Sequence, residues 1–200
     1  MREMKTVLLL TTPQSYRAAA FQTAAEKLGI AIVQGVDLPE ALAEQWGMQL
    51  KLDFSRLETA VSHIIQFARK RPLAAVIPVD DAGAVLAAKA SKALGLPHNN
   101  IAAAEAARDK HKMRQMLAAA GVNSPQFIRF SLEEATENVV EQVESRIGFP
   151  CVVKPLHLNG SRGVMRANDA AELAAAVRRL RPMLPADGHF LVETYLPGVE

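Results

Sequence analysis

The chain has little from which to build a disulfide, a membrane span or a base-stacking surface. It holds one cysteine, Cys151, among 200 residues, which excludes an internal disulfide and fits a reducing compartment. Cys151 sits in an apolar run and reads as a small core hydrophobe. Aromatic residues make up 5%, too few for a platform on which nucleic-acid bases would stack. Charge is nearly balanced, with 23 Lys and Arg against 21 Asp and Glu. No long run of one sign argues for a nucleic-acid or membrane surface. No stretch approaches the ~18 consecutive apolar residues of a membrane span, and the run Val7 to Leu10 is too short for a signal peptide. The expectation is a soluble, cytoplasmic protein. The five histidines, at 63, 98, 111, 157 and 189, lack metal-ligand spacing, so no metal-ligating residue is assigned.

Half of the residues are hydrophobic, enough for a substantial core in one large or two small domains. Thr6 to Leu10 reads as a buried strand. Thr12-Pro13 reads as a helix start, with Ala18, Phe21, Ala25 and Leu28 on one face and Gly29 as the stop. Ile30 to Val33 is the next strand, so the pattern is βαβ and a parallel sheet is expected. The first strand–helix turn, Thr11-Thr12-Pro13-Gln14-Ser15-Tyr16, contains no glycine, which disfavours a dinucleotide there. Thr11, Thr12 and Ser15 are left to cap or to hold a small ligand. Leu38 to Trp46 is expected as a short helix and Gln49 to Phe54 as a short strand. Ser55 and Glu58 match a capping box, followed by a helix with Leu57, Val61, Ile64 and Ala68 inward. Leu73 to Val79 is a strand, and Asp80-Asp81 opens a helix from Ala82 to Leu94. That acidic pair reads as a cap favouring the helix dipole, or as a ligand for a metal or an amine. The first domain is expected to span residues 1–105, with linker helices over 106–124.

The remainder, residues 125–200, reads as a small α+β domain of order β-α-β-β-α-β. Gln126 to Phe130 is a strand. Ser131 and Glu134 form a second capping box, with Leu132, Ala135, Val139, Val143 and Ile147 inward. The strand Cys151-Val152-Val153 ends in Lys154 and Pro155. A buried ammonium without a partner is costly, so Lys154 must face a cleft or a counter-charge, on the face of Val152 and opposite Cys151. The following loop, His157 to Gly163, offers two glycines, a hydroxyl and a guanidinium, groups able to cradle a phosphate. Read alone, such a stretch is usually a solvated hairpin turn, and it is not a Walker motif. Asn168 is expected to cap a helix bearing Leu173, Val177 and Leu180, and a strand Phe190 to Val192 delivers Glu193. Upstream, Asp109 caps a helix whose first turn carries Lys110 and Lys112 against the dipole. Met113, Met116, Leu117 and Ala120 are expected inward.

Taken together, strand-Lys154-Pro155, the Gly/Ser loop ending Gly163-Val164, a helix, Val192-Glu193, then Leu196-Pro197-Gly198 and Glu200 resemble the ATP-grasp superfamily. Ala107-Arg108-Asp109-Lys110, Ala120-Gly121-Val122 and Pro125 fit the same resemblance, which spans residues 74–200. It implies an α/β chain, with an N-terminal parallel-sheet pre-ATP-grasp domain and a smaller α+β ATP-grasp lid. It implies ATP as the bound nucleotide and a ligase that activates a small carboxylate as an acyl phosphate for attack by an amine or similar nucleophile. By motif position, Lys110 and Lys154 would bind phosphates, and Ser161, Arg162 and Gly163 would cover them. Glu193 would lie by the adenine amine, the backbone of Thr194, Tyr195 and Leu196 along the adenine edge, and Glu200 at the ribose. Magnesium is expected with ATP, its ligands beyond residue 200 in a C-terminal lobe that these residues do not include. The chain by itself is therefore expected to be inactive, with its catalytic residues unassigned. The loop is poorer in glycine than in many relatives, and His157 and Arg162 make it bulkier. An ATP-grasp phosphotransferase and a non-catalytic nucleotide-binding module are the alternatives. A homodimer is left open.

Overall fold

The computed structural model describes residues 4–39, 42 and 50–198. Most of the helix expected over Leu38 to Trp46 lies outside these residues, as do Gln49 and Glu200. The chain divides into two compact units, Met1–Ala104 and Glu105–Glu200.

The first unit is built on a parallel sheet of order β3-β2-β1-β4. Its strands are β1 (Thr6–Thr11), β2 (Ala31–Asp37), β3 (Lys51–Leu52) and β4 (Ala75–Pro78). Every residue of β1 is buried, as expected for a strand of a parallel sheet covered on both faces. Helix α1 (Ala18–Leu28) ends at Gly29 in the left-handed conformation, φ 63°, where glycine carries no Cβ penalty. It starts five residues after Pro13. Thr12 and Ser15 form a turn instead, in which the Ser15 N–H donates to the Thr12 carbonyl at 3.0 Å and the Thr12 N–H to Ser15 Oγ at 2.8 Å. Within α1 only Ala25 is buried, and Leu28, the last helical residue, is 72% exposed.

Helix α2 (Leu57–Lys70) buries Ala60 and Ile64, but its N-cap is Arg56, with no side-chain cap. Ser55 is diverted, its N–H and hydroxyl both donating to the Asp53 carboxylate at 2.9 and 2.5 Å. After β4, a short 3-10 turn (Asp81–Gly83) leads into α3 (Ala84–Ala93), in which Val85 through Ala88, Ala90 and Ser91 are buried. Four of those buried residues, Ala87, Ala88, Ala90 and Ser91, are small, which lets the helix sit close against the sheet. Leu8, Leu10, Val33, Leu52, Ile64 and Leu86 are central to this core. Helix α4 (Ile101–Arg108) contains the boundary between the units.

The second unit opens with α5 (Lys110–Ala119). The Asp109 carboxylate caps it by accepting from the N–H groups of His111 and Lys112. There follow β5 (Phe127–Ser131), α6 (Thr136–Arg146), β6 (Cys151–Pro155), β7 (Met165–Ala167), α7 (Ala170–Leu180) and β8 (His189–Thr194). That is the β-α-β-β-α-β order. The sheet order is β5-β8-β6-β7, and each neighbouring pair is antiparallel. On one face, Ile128, Phe130, Cys151, Val153, Ala167, Phe190 and Val192 meet Val139 and Val143 of α6 and Leu173, Val177 and Leu180 of α7. Period-2 alternation then sends Arg129, Val152, Lys154, Arg166, Leu191 and Glu193 to the opposite face.

Two caps differ from the sequence reading. The Ser131 N–H does donate to Glu134 Oε1 at 3.0 Å, but the Glu134 N–H returns to the Ser131 carbonyl and Ser131 Oγ accepts from the Glu133 N–H. They therefore close a turn, and α6 begins at Thr136 behind Ala135. The cap of α7 is Asp169, accepting from the Glu172 N–H, while Asn168 donates back to the Glu172 carboxylate. Helix α5 buries no residue completely, and Met116 is 47% exposed. It is anchored through polar groups rather than an apolar stripe.

Candidate functional site

The opposite face of the second sheet carries a charge cluster built from three elements. Strand β8 supplies Glu193, whose side chain is 4% exposed. Register places Glu193 beside Val152 on β6, so Lys154, two residues along, is its diagonal neighbour. Lys154 Nζ lies 2.5 Å from Glu193 Oε2. Helix α5 supplies Arg114, whose Nε and Nη2 donate to Oε1 and Oε2 of the same carboxylate at 2.7 and 2.9 Å. This is the bidentate fork that matches guanidinium to carboxylate. Burial alone would raise the Glu193 carboxyl, but the hydrogen bonds and charges of Arg114 and Lys154 outweigh it and hold the group below its ordinary value.

Lys110, one turn before Arg114 on the same helix face, completes the cluster. Its Nζ donates to the carbonyls of Leu156 and Leu158 at 3.3 and 2.8 Å, and its N–H to Leu156 O at 3.2 Å. The start of α5 is thereby pinned to the strand end and loop that follow Lys154. His157 adds a contact to the Arg108 carbonyl at 3.2 Å. Burial, then the nearby charge of Lys154, lowers the Lys110 pKa, and Glu193 and Asp109 offset this only in part. Three cations around one carboxylate leave positive charge in excess. That is costly to assemble unless an anion is to be bound.

The loop beside this cluster is exposed at Asn159, Gly160, Ser161 and Arg162. Gly160, Ser161 and Gly163 all have positive φ, at 62°, 56° and 74°. Ser161 is a non-glycine residue in the left-handed region, where strain tends to mark functional loops. Two N–H groups close turns within the loop, that of Arg162 onto the Asn159 carbonyl at 3.4 Å and that of Val164 onto the Ser161 carbonyl at 3.1 Å.

At the end of β8 the Thr194 and Tyr195 N–H groups are committed to the carbonyls of Gln126 and Pro150, at 3.0 and 3.2 Å. Of the three residues expected along an adenine edge, that leaves Leu196 to donate an N–H, with carbonyls to accept. Leu196 is 63% exposed. The Arg166 guanidinium on β7 stacks on Tyr195, 4.2 Å from the ring centroid, and closes the far side of this face.

The structure therefore brings Lys110, Lys154 and Glu193 together and sets Ser161, Arg162 and Gly163 on the adjoining loop. Glu200 lies outside the described residues. Arg114 and Arg166 were not anticipated. Arg114 stands four residues after Lys110, the spacing of one helix face, and that spacing was the available signal.

In the first unit, Thr11 is buried within β1. Thr12 and Ser15 donate to the Asp80 carboxylate, Thr12 at 3.5 Å. Asp80 has extended backbone and makes no cap to the following turn, because hydroxyls at the end of β1 reach its side chain first. Among the described residues, no group of three or more His, Cys, Asp or Glu is placed to hold a metal ion, and no helix is long and apolar enough to cross a membrane.

Comparison with known proteins places both units. A family model described as the ATP-grasp N-terminal domain matches residues 21–98, and one described as the D-ala D-ala ligase C-terminus matches residues 116–200. A D-alanine–D-alanine ligase of Bacillus cytotoxicus is 37% identical over 81 residues, 39% of this chain and 22% of that protein. The crystal structure of an L-amino acid ligase from Bacillus licheniformis superimposes with a TM-score of 0.68 at 22% identity, covering 99% of this chain and 46% of that one. A D-alanine–D-alanine ligase from Bacillus anthracis complexed with ATP gives a TM-score of 0.60 at 18% identity, covering 98% and 58%. The chain thus spans about half the length of the solved structures it matches.

Proposed function

The chain belongs to the ATP-grasp superfamily, and we propose that its second unit is the ATP-binding part of a ligase that joins a small carboxylate, of the amino-acid class, to an amine. The observation that carries this reading is the buried Glu193 carboxylate held by Arg114 and Lys154 with Lys110 alongside. Excess cationic charge there suits a triphosphate. The relatives named as D-alanine–D-alanine and L-amino acid ligases support an amino acid as the carboxylate.

In this reading the ammonium groups of Lys110 and Lys154 bind phosphate oxygens as point charges. The 157–163 loop, with Ser161, Arg162 and the backbone around Gly163, closes over the phosphates and excludes water. Glu193 accepts from the adenine amine, Leu196 N–H and neighbouring carbonyls pair with the adenine edge, and Glu200 reaches the ribose hydroxyls. The substrate carboxylate oxygen attacks the γ-phosphorus as the bond to the departing ADP breaks, giving an acyl phosphate. The amine then attacks the acyl carbon, phosphate leaves, and the amine proton is released. The cations offset charge on the transferring phosphoryl group. Magnesium would accompany the nucleotide, but the described residues offer it no ligand cluster.

Calorimetric titration with ATP tests the nucleotide site. Lys154→Ala removes a charge-assisted bond of ~1.5–3 kcal/mol, so Kd is expected to rise by about ten- to a hundredfold; an unchanged Kd contradicts the assignment. Incubation with ATP, an amino-acid panel and hydroxylamine separates the reaction classes. Hydroxamate with ADP supports the ligase, ADP with a stable phosphorylated product the phosphotransferase, and binding without turnover a nucleotide-binding module.

A further inference from the structure

Lys154 is committed to two anions at once: to Glu193, 2.5 Å away, and, in the function proposed above, to a phosphate. Its three N–H donors could bridge the two anions, but any shift towards the phosphate weakens its hold on the carboxylate. A carboxylate 4% exposed and stripped of its counter-ion is strongly unfavourable. The geometry around Glu193 resolves this conflict. Oε2 accepts from both Lys154 and Arg114, whereas Oε1 accepts from Arg114. In charge and hydrogen bonding, the lysine contact is therefore the redundant one.

We propose, resting on the ATP-binding reading, that Arg114 is the positioning residue that releases Lys154 to the nucleotide, its fork staying on both Glu193 oxygens while the lysine moves to phosphate. Arg114 itself need not touch ATP. Its side chain is 17% exposed, held on a helix that Lys110 anchors to the phosphate-side loop. Among the described residues, the charged groups on the elements facing Glu193 do not compete for Arg114. Lys110 on α5 and Lys154 on β6 are cations. On β5 the residue opposite Glu193 is Phe127, with Arg129 next along that face, and Arg166 lies beyond Val152 on β7. Among the described residues these charged neighbours are cations, and the fork of Arg114 is on Glu193.

The consequence is a proton linkage that a merely structural arginine would not produce. In Arg114→Gln, Lys154 is the last cation bonded to Glu193, and its departure for ATP leaves the buried carboxylate with only the neutral adenine amine, so that it takes up a proton. The full 200-residue chain is titrated with ATP by calorimetry from pH 5.5 to 8, in buffers of differing ionisation enthalpy. Arg114→Gln is expected to raise Kd at least about tenfold at pH 7.5. Relative to wild type, binding should also be accompanied by uptake of up to one additional proton, so the penalty shrinks as pH falls. Arg114→Lys should restore most of the affinity, and in a Glu193→Gln background Arg114→Gln should have little further effect.

A wild-type measurement needs no variant to fold. On saturation with ATP the NMR signal of Lys154 Nζ should move while the protected Arg114 Nε–H persists. The proposal is overturned if Arg114→Gln binds like wild type, if it weakens binding without extra proton uptake, or if the Arg114 signal is lost on ATP addition. A wild-type chain that binds no ATP fails the functional reading itself and takes this inference with it.

Discussion

Glu193 is a carboxylate with almost no solvent contact, kept ionised by two cations that reach it from a helix and a strand. Its pKa is depressed on folding. The stability it contributes is therefore present above the ordinary glutamate value, 4.5, and is lost as pH falls through the lower folded value. Glu193→Gln strands two buried cations and is expected to cost about 3–5 kcal/mol near neutrality. It should also flatten the decline in unfolding midpoint between pH 5 and 3, measured by thermal melts; a variant melting like wild type across that range contradicts this role. At this scale the sequence was legible where chemistry and alternation met. Lys154 in an apolar strand needed a partner, and Glu193 at the end of another was available. Arg114 was not legible, because an arginine in a polar helix looks solvated until the helix is seen lying on the sheet. The cysteine reading did follow from pattern. Cys151 alternates with Lys154 to the helix-packed face, is fully buried, and burial pushes its thiol up to about 11.

Among the elements, the β6–β7 hairpin depends most on one residue. Gly163 has φ 74°, and a Cβ there would lie 3.0 Å from Leu180 and 3.1 Å from Pro155. Gly160, φ 62°, has nothing within 4 Å. Both substitutions by alanine carry the left-handed penalty of ~1–2 kcal/mol, and only Gly163→Ala adds overpacking of ~1–3 kcal/mol. Thermal unfolding should therefore rank Gly163→Ala well below Gly160→Ala, and equal losses would contradict the packing at this corner. Strands and helices were readable from periodicity because burial enforces it. Helix starts were less so. Ser55 found Asp53, Thr12 and Ser15 found Asp80, and Ser131 and Glu134 closed a turn on each other. Short polar side chains satisfy whichever backbone or carboxylate comes nearest, and that choice is made by tertiary placement rather than by the local motif.

At the scale of the whole chain, a parallel sheet and an antiparallel sheet form two units with separate cores. The βαβ pattern of the first and the β-α-β-β-α-β order of the second were both visible in the sequence. The strand order β5-β8-β6-β7 was not, because pairing across long connections leaves no local trace. That order is what sets Glu193 beside Lys154 and leaves one sheet face to α5 and the charge cluster. Nucleotide binding is the property on which the functional proposal stands. Hydrogen exchange with and without ATP tests it directly. ATP should slow exchange at residues 157–163 and 193–198 and leave the first unit unchanged. No change anywhere, or protection confined to residues of the first unit, would contradict an ATP site on the second.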